Sequence, residues 1–182
     1  AVILAADEVH GPEDVDVDLQ GRIYAGTADG RIVQLDLDFL DRPTVATLAS
    51  TGGRPLGLAF DAQGHLLVAD GMVGLLRLDP KGEIEVLSTG VGETPFGFTD
   101  DLDVARDGKI YFSDASSKFG VGEYLYDLLE ARPHGRLLVF DPATGKTRVL
   151  LKGLYFANGR HRHTTANSNV TSCNIACFKG FG

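Results

Sequence analysis

The sequence predicts an all-β fold, a β-propeller, and three observations support this prediction. Three segments of the chain align with one another, each begins with an apolar run, and each repeats the same glycine turns. The turn glycines Gly21, Gly64 and Gly108 are 43 and 44 residues apart. Short β-rich runs that recur with a period of about 40 residues are typical of propeller blades.

Each repeat unit is predicted to form four successive strands. In the second unit the apolar run "LGLAF" meets the turn "DAQG", and the runs "HLLVAD", "GLLRLD" and "EIEVLS" follow. The predicted blades cover residues 1–50, 51–93 and 94–152, and the next blade starts at residues 153–159. A β-sandwich with chance regularity is the alternative, and the shared glycine and aspartate positions argue against it.

The third unit contains an insertion. The aspartates that close the three units are 43 and 62 residues apart, so this unit has 19 additional residues. Four apolar residues of the insertion lie at helical spacing, and Pro133 follows them: Tyr124, Leu125, Leu128 and Leu129. We therefore expect one short helix. It is either a surface decoration or a lid beside a site, since long insertions in regular scaffolds are often functional.

The composition limits the partners of the chain. The net charge is −8, and no basic stripe is present, so nucleic acid is not expected as a partner. No apolar stretch is long enough to span a bilayer, so we predict no membrane segment within this chain. The sequence lacks an initiator Met and a signal-like start, and we expect the chain to begin inside a longer precursor. Its localisation therefore stays open.

Oxygen-bearing side chains recur at one position of the repeat. This position holds Glu13 in the first unit, Asp100 in the third and Asn158 in the fourth, whereas the second unit has Leu56. The first strand of each blade lines the central channel, so we expect these three oxygen donors to converge at one end of it. Hard oxygen donors without His or Cys favour calcium. The alternative is that they are ordinary residues of turns and strand starts.

The next position of the repeat holds two further carboxylates, Asp14 and Asp101. Side chains alternate along a strand, so both point to the opposite side from their neighbours. They could cap turns, pair with a basic residue or bind a second, deeper ion. No catalytic residue is identified, because the serines of the third unit have no evident histidine partner: Ser113, Ser116 and Ser117.

The segments "GPEDVDVD", "FTDDLDVARDGKIYFSDASSKF" and "GRLLVFDPATGKTRVLLKGLYFANG" together resemble the strictosidine synthase-like family. Its wider superfamily includes the paraoxonases and gluconolactonases. The resemblance covers residues 1–159 and implies a six-bladed propeller, of which this chain covers about three and a half blades. It also implies calcium (Ca2+) at the channel mouth and hydrolysis of a small-molecule substrate, a lactone or an ester.

The resemblance also implies roles for single residues. Glu13 is similar to the first-blade glutamate that binds the catalytic calcium in the paraoxonases. Asp100 stands where an asparagine is common, and Asn158 looks like another calcium ligand. Asp14 and Asp101 match positions that serve a second, structural calcium.

Two other functions are compatible with the same resemblance. The first is a non-catalytic propeller that binds a small molecule or a protein, with calcium in a structural role. The second is an amine–aldehyde condensing synthase. It is the least expected, because the catalytic glutamate of such synthases would come from a late blade that this chain does not contain.

The sequence changes character after Gly159. Residues 160–182 read "RHRHTTANSNVTSCNIACFKGFG", and the β patterning ends there. The spacing of Cys173 and Cys177 fits no strong zinc signature. We expect this tail to be aberrant, either disordered or frame-shifted, and the chain to be an incomplete fragment of the active protein.

Overall fold

A computed structural model of the chain describes residue 5 and residues 8–36, 44–162 and 173–175. Within these residues the architecture consists of three four-stranded antiparallel sheets, and in each of them the strands are neighbours in sequence order. This up-and-down order is what the predicted blades require. The prediction of an all-β chain with one short helix is confirmed.

Each sheet corresponds to one predicted blade. Blade 1 consists of Val15–Val17 (β1), Ile23–Gly26 (β2), Arg31–Asp36 (β3) and Thr44–Ser50 (β4). Blade 2 consists of Pro55–Phe60 (β5), Leu66–Asp70 (β6), Gly74–Leu78 (β7) and Ile84–Ser88 (β8). A small hairpin follows, made of Gly90–Val91 (β9) and Thr94–Pro95 (β10). Blade 3 consists of Thr99–Val104 (β11), Ile110–Asp114 (β12), Gly135–Asp141 (β13) and Lys146–Leu154 (β14).

The glycine turns of the repeat connect the first two strands of each blade. Asp18 Oδ1 accepts the backbone N–H groups two and four residues later, both at 2.9 Å. Asp61 makes the same two bonds in blade 2. Gly21, Gly64 and Gly108 all have φ between 81° and 84°, which disfavours any residue with a side chain. The regular spacing of these glycines therefore reflects one turn geometry used three times.

The blades pack face to face through apolar side chains. Between blades 1 and 2, Tyr24 and Phe60 meet edge to face with ring centroids 5.0 Å apart. Between blades 2 and 3, the fully buried Leu75, Leu102 and Phe112 belong to one cluster. Burial of large apolar side chains on both faces of blade 2 is the main source of stability of the arrangement.

The innermost strands of the blades also contact one another directly. Asp14 Oδ2 accepts the backbone N–H of Leu58, and Asp16 Oδ2 accepts that of Phe60, both at 2.9 Å. These bonds link β1 of blade 1 to β5 of blade 2. At Gly57 a Cβ atom would lie only 2.7 Å from Cα of Asp101, so β5 also approaches β11 of blade 3 closely.

The insertion of blade 3 forms the predicted helix. A 3-10 turn at Val121–Glu123 leads into the helix Tyr124–Glu130 (α1). The helix ends at Ala131, which adopts a left-handed conformation with φ 50°. Among the described residues, no helix has the length and apolar character needed to cross a membrane.

Part of the predicted aberrant tail lies outside the described residues. Its described part forms a two-stranded antiparallel sheet from Arg160–Arg162 (β15) and Cys173–Ile175 (β16). The boundary at residue 159 and the nature of residues 160–182 stay predictions.

Candidate metal centre

The three predicted ligands lie at or just before the start of the strands β1, β11 and β15. Asp100 is the second residue of β11, and its side chain is 2% exposed. Glu13 is exposed and precedes β1 by two residues, and Asn158 is half-buried and precedes β15 by two residues. Because β1 and β11 begin at the same end of their blades, Glu13 and Asp100 occupy the same end of the inner surface, and the charge of Glu13 acts on Asp100. The convergence of Asn158 with these two residues stays a prediction.

Asp100 is a buried carboxylate with one oxygen atom that no described residue satisfies. Its Oδ2 atom is buried and has no hydrogen-bond partner among the described residues. Burial, with the negative charges of Glu13 and Asp101, raises the pKa of Asp100 from its usual 3.8 to about 8. Buried polar atoms almost always have a partner, so an unsatisfied carboxylate oxygen indicates a place for a cation or another donor.

Glu13 is electrostatically coupled to the same group. Desolvation raises the pKa of Glu13, the charges of Asp14 and Asp101 add to this effect, and the guanidinium of Arg54 opposes it. The charge of Glu13 in turn contributes to the raised pKa of Asp100, so a cation beside both carboxylates would favour their ionised forms.

The donor set fits a hard divalent cation that takes additional oxygen ligands. In the part of the chain that the structure describes, no group of three or more His, Cys, Asp or Glu side chains is close enough to hold a metal ion. A site with Glu13 and Asp100 therefore depends on the amide oxygen of Asn158 and on other oxygen atoms. Calcium binds six to eight oxygen ligands, including carbonyls and water, and tolerates such a mixed set.

The two neighbouring carboxylates make structural hydrogen bonds. Asp14 uses both oxygens on backbone N–H groups, those of Val15 at 2.8 Å and Leu58 at 2.9 Å. Asp101 accepts the backbone N–H of Leu102 at 2.8 Å and has a further interaction partner. Asp14 therefore links β1 to β5, a role that was not among those expected for this position. A second ion at Asp14 and Asp101 stays a prediction.

Two buried aspartates that the sequence analysis did not single out hold the loops at this end. Asp70 Oδ1 accepts the backbone N–H groups of Arg54, Met72 and Val73 at 2.9–3.0 Å. Asp114, at the equivalent end of β12, accepts two backbone N–H groups and forms a buried ion pair with Arg136. An aspartate ends the second strand of blades 2 and 3, in "VAD" and "FSD", and this recurrence could have identified both residues from the sequence.

The helix α1 is attached to blade 3 by a polar contact. Ser116, which is fully buried, donates its hydroxyl to the carboxylate of Asp127, and Asp127 is the only α1 residue that is buried. Lys118 Nζ pairs with Glu130 at 2.7 Å. Ser116 therefore has an aspartate as its partner where a nucleophilic triad would need a histidine. The absence of such a triad stays a prediction.

An apolar cluster lies directly beside the candidate ligands. Leu56 and Phe98 are buried within it, and Phe156 packs against them. Phe98 and Phe156 each precede a candidate ligand by two residues, and their rings meet edge to face at 5.6 Å. The ring of Tyr124 in α1 lies 6.5 Å from that of Phe156, so the cluster reaches the helix.

Solved structures with this arrangement of sheets identify the class of fold. A gluconolactonase from Xanthomonas campestris aligns with a TM-score of 0.65 and 21% identity, covering 84% of this chain and 50% of that protein. Virginiamycin B lyase from Staphylococcus aureus aligns with a TM-score of 0.58 and 16% identity, covering 86% and 47%. Both are propeller-type folds, and the β-propeller prediction is confirmed.

Sequence comparison then places the chain in a family. The strictosidine synthase family model matches residues 100–178, and a model for the N-terminal part of strictosidine synthase-like proteins matches residues 1–35. Strictosidine synthase-like protein 4 of Arabidopsis thaliana is 42% identical over 154 residues. The adipocyte plasma membrane-associated protein of Mus musculus is 38% identical over 173 residues. The chain belongs to the strictosidine synthase-like family.

The alignments cover most of this chain but less than half of each relative. The Arabidopsis alignment covers 83% of this chain and 42% of the relative, and the mouse alignment covers 86% and 40%. The chain therefore spans about two fifths of the length of these curated relatives.

Proposed function

We propose that the protein is a calcium-dependent hydrolase of lactones or esters, and that Glu13, Asp100 and Asn158 hold the ion at the mouth of the channel. The observation that supports this most directly is the buried Asp100, whose Oδ2 has no partner among the described residues. The gluconolactonase likeness supports the fold, and the reaction class is our inference from the site.

The residues of this chain supply the binding of the ion. Glu13 and Asp100 provide two negative charges, and Asn158 provides a neutral oxygen, which suits a divalent cation. The backbone of Asp101 donates to Ser113 Oγ at 3.1 Å, which fixes the strand that bears Asp100. When bound, the cation polarises the carbonyl of the substrate and stabilises the oxyanion that forms on hydrolysis.

The surroundings of the site suit a neutral carbonyl substrate. The buried apolar cluster of Leu56 and Phe98, with Phe156 packed against it, adjoins the candidate ligands along the chain. An electrostatic interaction is stronger where the dielectric constant is low. Apolar surroundings would therefore strengthen the polarisation of an ester carbonyl by the cation.

The test is hydrolysis of a panel of aryl esters and simple lactones by the purified protein, before and after treatment with a calcium chelator. We expect turnover to be lost with the chelator and restored by added calcium. Glu13→Gln should lower kcat/KM by roughly a hundredfold, since it removes a charged ligand. Glu93→Gln is the matched control, because Glu93 is exposed in the β9–β10 hairpin.

The outcomes separate the candidate functions. Turnover that does not respond to chelation would contradict a calcium-dependent mechanism. Calcium binding without turnover on any substrate of the panel would replace the hydrolase with a binding module in which the ion is structural.

A further inference from the structure

The helix α1 has its polar and apolar sides reversed with respect to a normal surface helix. Its buried residue is the carboxylate Asp127, whereas Tyr124, Leu125, Leu128 and Leu129 are 43–81% exposed. Surface helices usually turn apolar side chains inward. The reversal is stabilised by the Ser116–Asp127 hydrogen bond. An apolar face that is held outward in this way indicates a binding surface.

This exposed face continues into the candidate metal centre. Tyr124 contacts Phe156, and Phe156 contacts Phe98, with centroid distances of 6.5 and 5.6 Å. Leu128 lies one helical turn beyond Tyr124 on the same side of α1. We call Phe156, Tyr124 and Leu128 the apolar strip, which contacts the buried Phe98. It begins two residues before Asn158 and ends on the exposed face of the helix.

The backbone at Phe156 supports a functional role for the strip. Phe156 has φ 41°, a left-handed conformation that is unfavourable for a bulky side chain. Such strain persists where the surrounding structure requires it, and it is concentrated at functional sites. Here it places an aromatic ring between the buried cluster and the exposed helix.

We propose that the apolar strip binds the alkyl or acyl chain of the substrate, so that the preferred substrates are esters or lactones with a long apolar chain. The proposal rests on the proposed hydrolase function. The carbonyl group would lie at the candidate metal centre, and the chain would extend over Phe156 and Tyr124 towards Leu128. The side chains of the strip are uncharged and apolar, which suits a hydrocarbon chain.

The test measures kcat/KM for 4-nitrophenyl esters of increasing acyl length, from acetate to decanoate. We expect kcat/KM to rise by up to about fourfold per added methylene until the strip is filled. Leu128→Ser should flatten this increase for the longer esters. Leu151→Ser, at another exposed leucine on the outer strand β14, should retain it.

A binding measurement separates this inference from the proposed function. Calorimetric titration with 1-octanol and 1-butanol needs no turnover, and we expect octanol to bind more tightly to the wild-type protein than to Leu128→Ser. If no ester is hydrolysed but octanol binding depends on Leu128, the apolar strip is supported as a binding site for alkyl chains and the hydrolase function is contradicted.

Three results would overturn the strip. The first is turnover that does not depend on chain length, and the second is equal octanol binding by the wild type and Leu128→Ser. The third is a Leu128→Ser variant that loses binding to phosphatidylcholine vesicles but keeps the chain-length dependence. That result would assign the helix to a lipid surface.

Discussion

At the scale of single residues, Asp100 is costly to the folded state. Its pKa is about 8 in the fold and 3.8 when the carboxyl is fully solvated. The protonated form is therefore favoured in the folded protein, and ionisation opposes folding. The sign follows from linkage: stability is greatest below about pH 4 with respect to this group and is lost as the pH rises towards 8.

Asp100→Asn should remove this pH-dependent cost. We expect the variant, in chelator, to be more stable than the wild type by up to about 5 kcal/mol near pH 8, with the difference vanishing near pH 4. Denaturant unfolding at both pH values measures it. A stability difference that is the same at both pH values would contradict the burial and repulsion assigned to Asp100.

The sequence alone located these residues but could not assign their roles. The repeat register brought Glu13, Asp100 and Asn158 to one position; in the structure Asp100 lies in β11, and Glu13 and Asn158 lie two residues before β1 and β15. The burial of Asp100 depends on packing by neighbouring blades, which no local pattern encodes. For the same reason, the sequence could not predict the hydrogen bond that Asp14 accepts from the backbone N–H of Leu58, 44 residues away.

At the scale of secondary-structure elements, the close approach of β5 and β11 depends on Gly57. A Cβ atom there would lie 2.7 Å from Cα of Asp101 and 2.9 Å from the carbonyl oxygen of Asp100. Neither backbone atom can move without shifting β11 and the candidate metal centre.

Gly57→Ala should therefore destabilise the protein by about 1–3 kcal/mol, the usual cost of overpacking, and weaken calcium binding. Gly122→Ala is the control, because a Cβ at Gly122 would meet nothing within 4 Å. Thermal unfolding and calcium titration check both effects. A Gly57→Ala variant as stable as the control would show that β5 and β11 are further apart than we describe.

The helix illustrates what sequence patterns omit at this scale. The spacing of Tyr124, Leu125, Leu128 and Leu129 predicted α1 correctly. Periodicity places apolar side chains on a common face, but it does not say whether that face is buried. The orientation is set by Ser116, whose hydroxyl binds Asp127 from outside the helix.

Asp127→Ala should release α1 from blade 3, because Ser116 loses its acceptor in a buried site. We expect limited proteolysis within residues 118–134 to become faster while the three sheets keep their thermal midpoint to within a few degrees. Asp107→Ala, at an exposed turn at the other end of blade 3, serves as the control. Equal cleavage rates in the two variants would mean that other contacts hold the helix.

At the scale of the whole molecule, blade 1 has an exposed apolar patch on its inner strand β1. Asp14 and Asp16 accept backbone N–H groups of blade 2, so the alternating Val15 and Val17 lie on the opposite face of β1. These valines are 57% and 51% exposed. In a propeller each blade packs against two neighbours, so this face is expected to bind another apolar surface.

The 182-residue chain should therefore self-associate in solution. We expect the double variant Val15→Thr, Val17→Thr to reduce light scattering and raise the monomer fraction. Val86→Thr, at an exposed valine of the outer strand β8, should have little effect. A wild-type chain that is a soluble monomer with a sharp thermal transition would contradict this expectation.

The proposed calcium site joins blades 1 and 3 and the start of the next blade. Its most direct test is the thermal unfolding midpoint of the chelated protein as calcium is added, for the wild type, Glu13→Gln and the control Glu93→Gln. A ligand at a hundred times its Kd stabilises the folded state by about 2.7 kcal/mol. We predict that calcium raises the midpoint by several degrees in the wild type and Glu93→Gln and not in Glu13→Gln. A midpoint that does not respond to calcium, or that rises equally in all three proteins, would contradict the site.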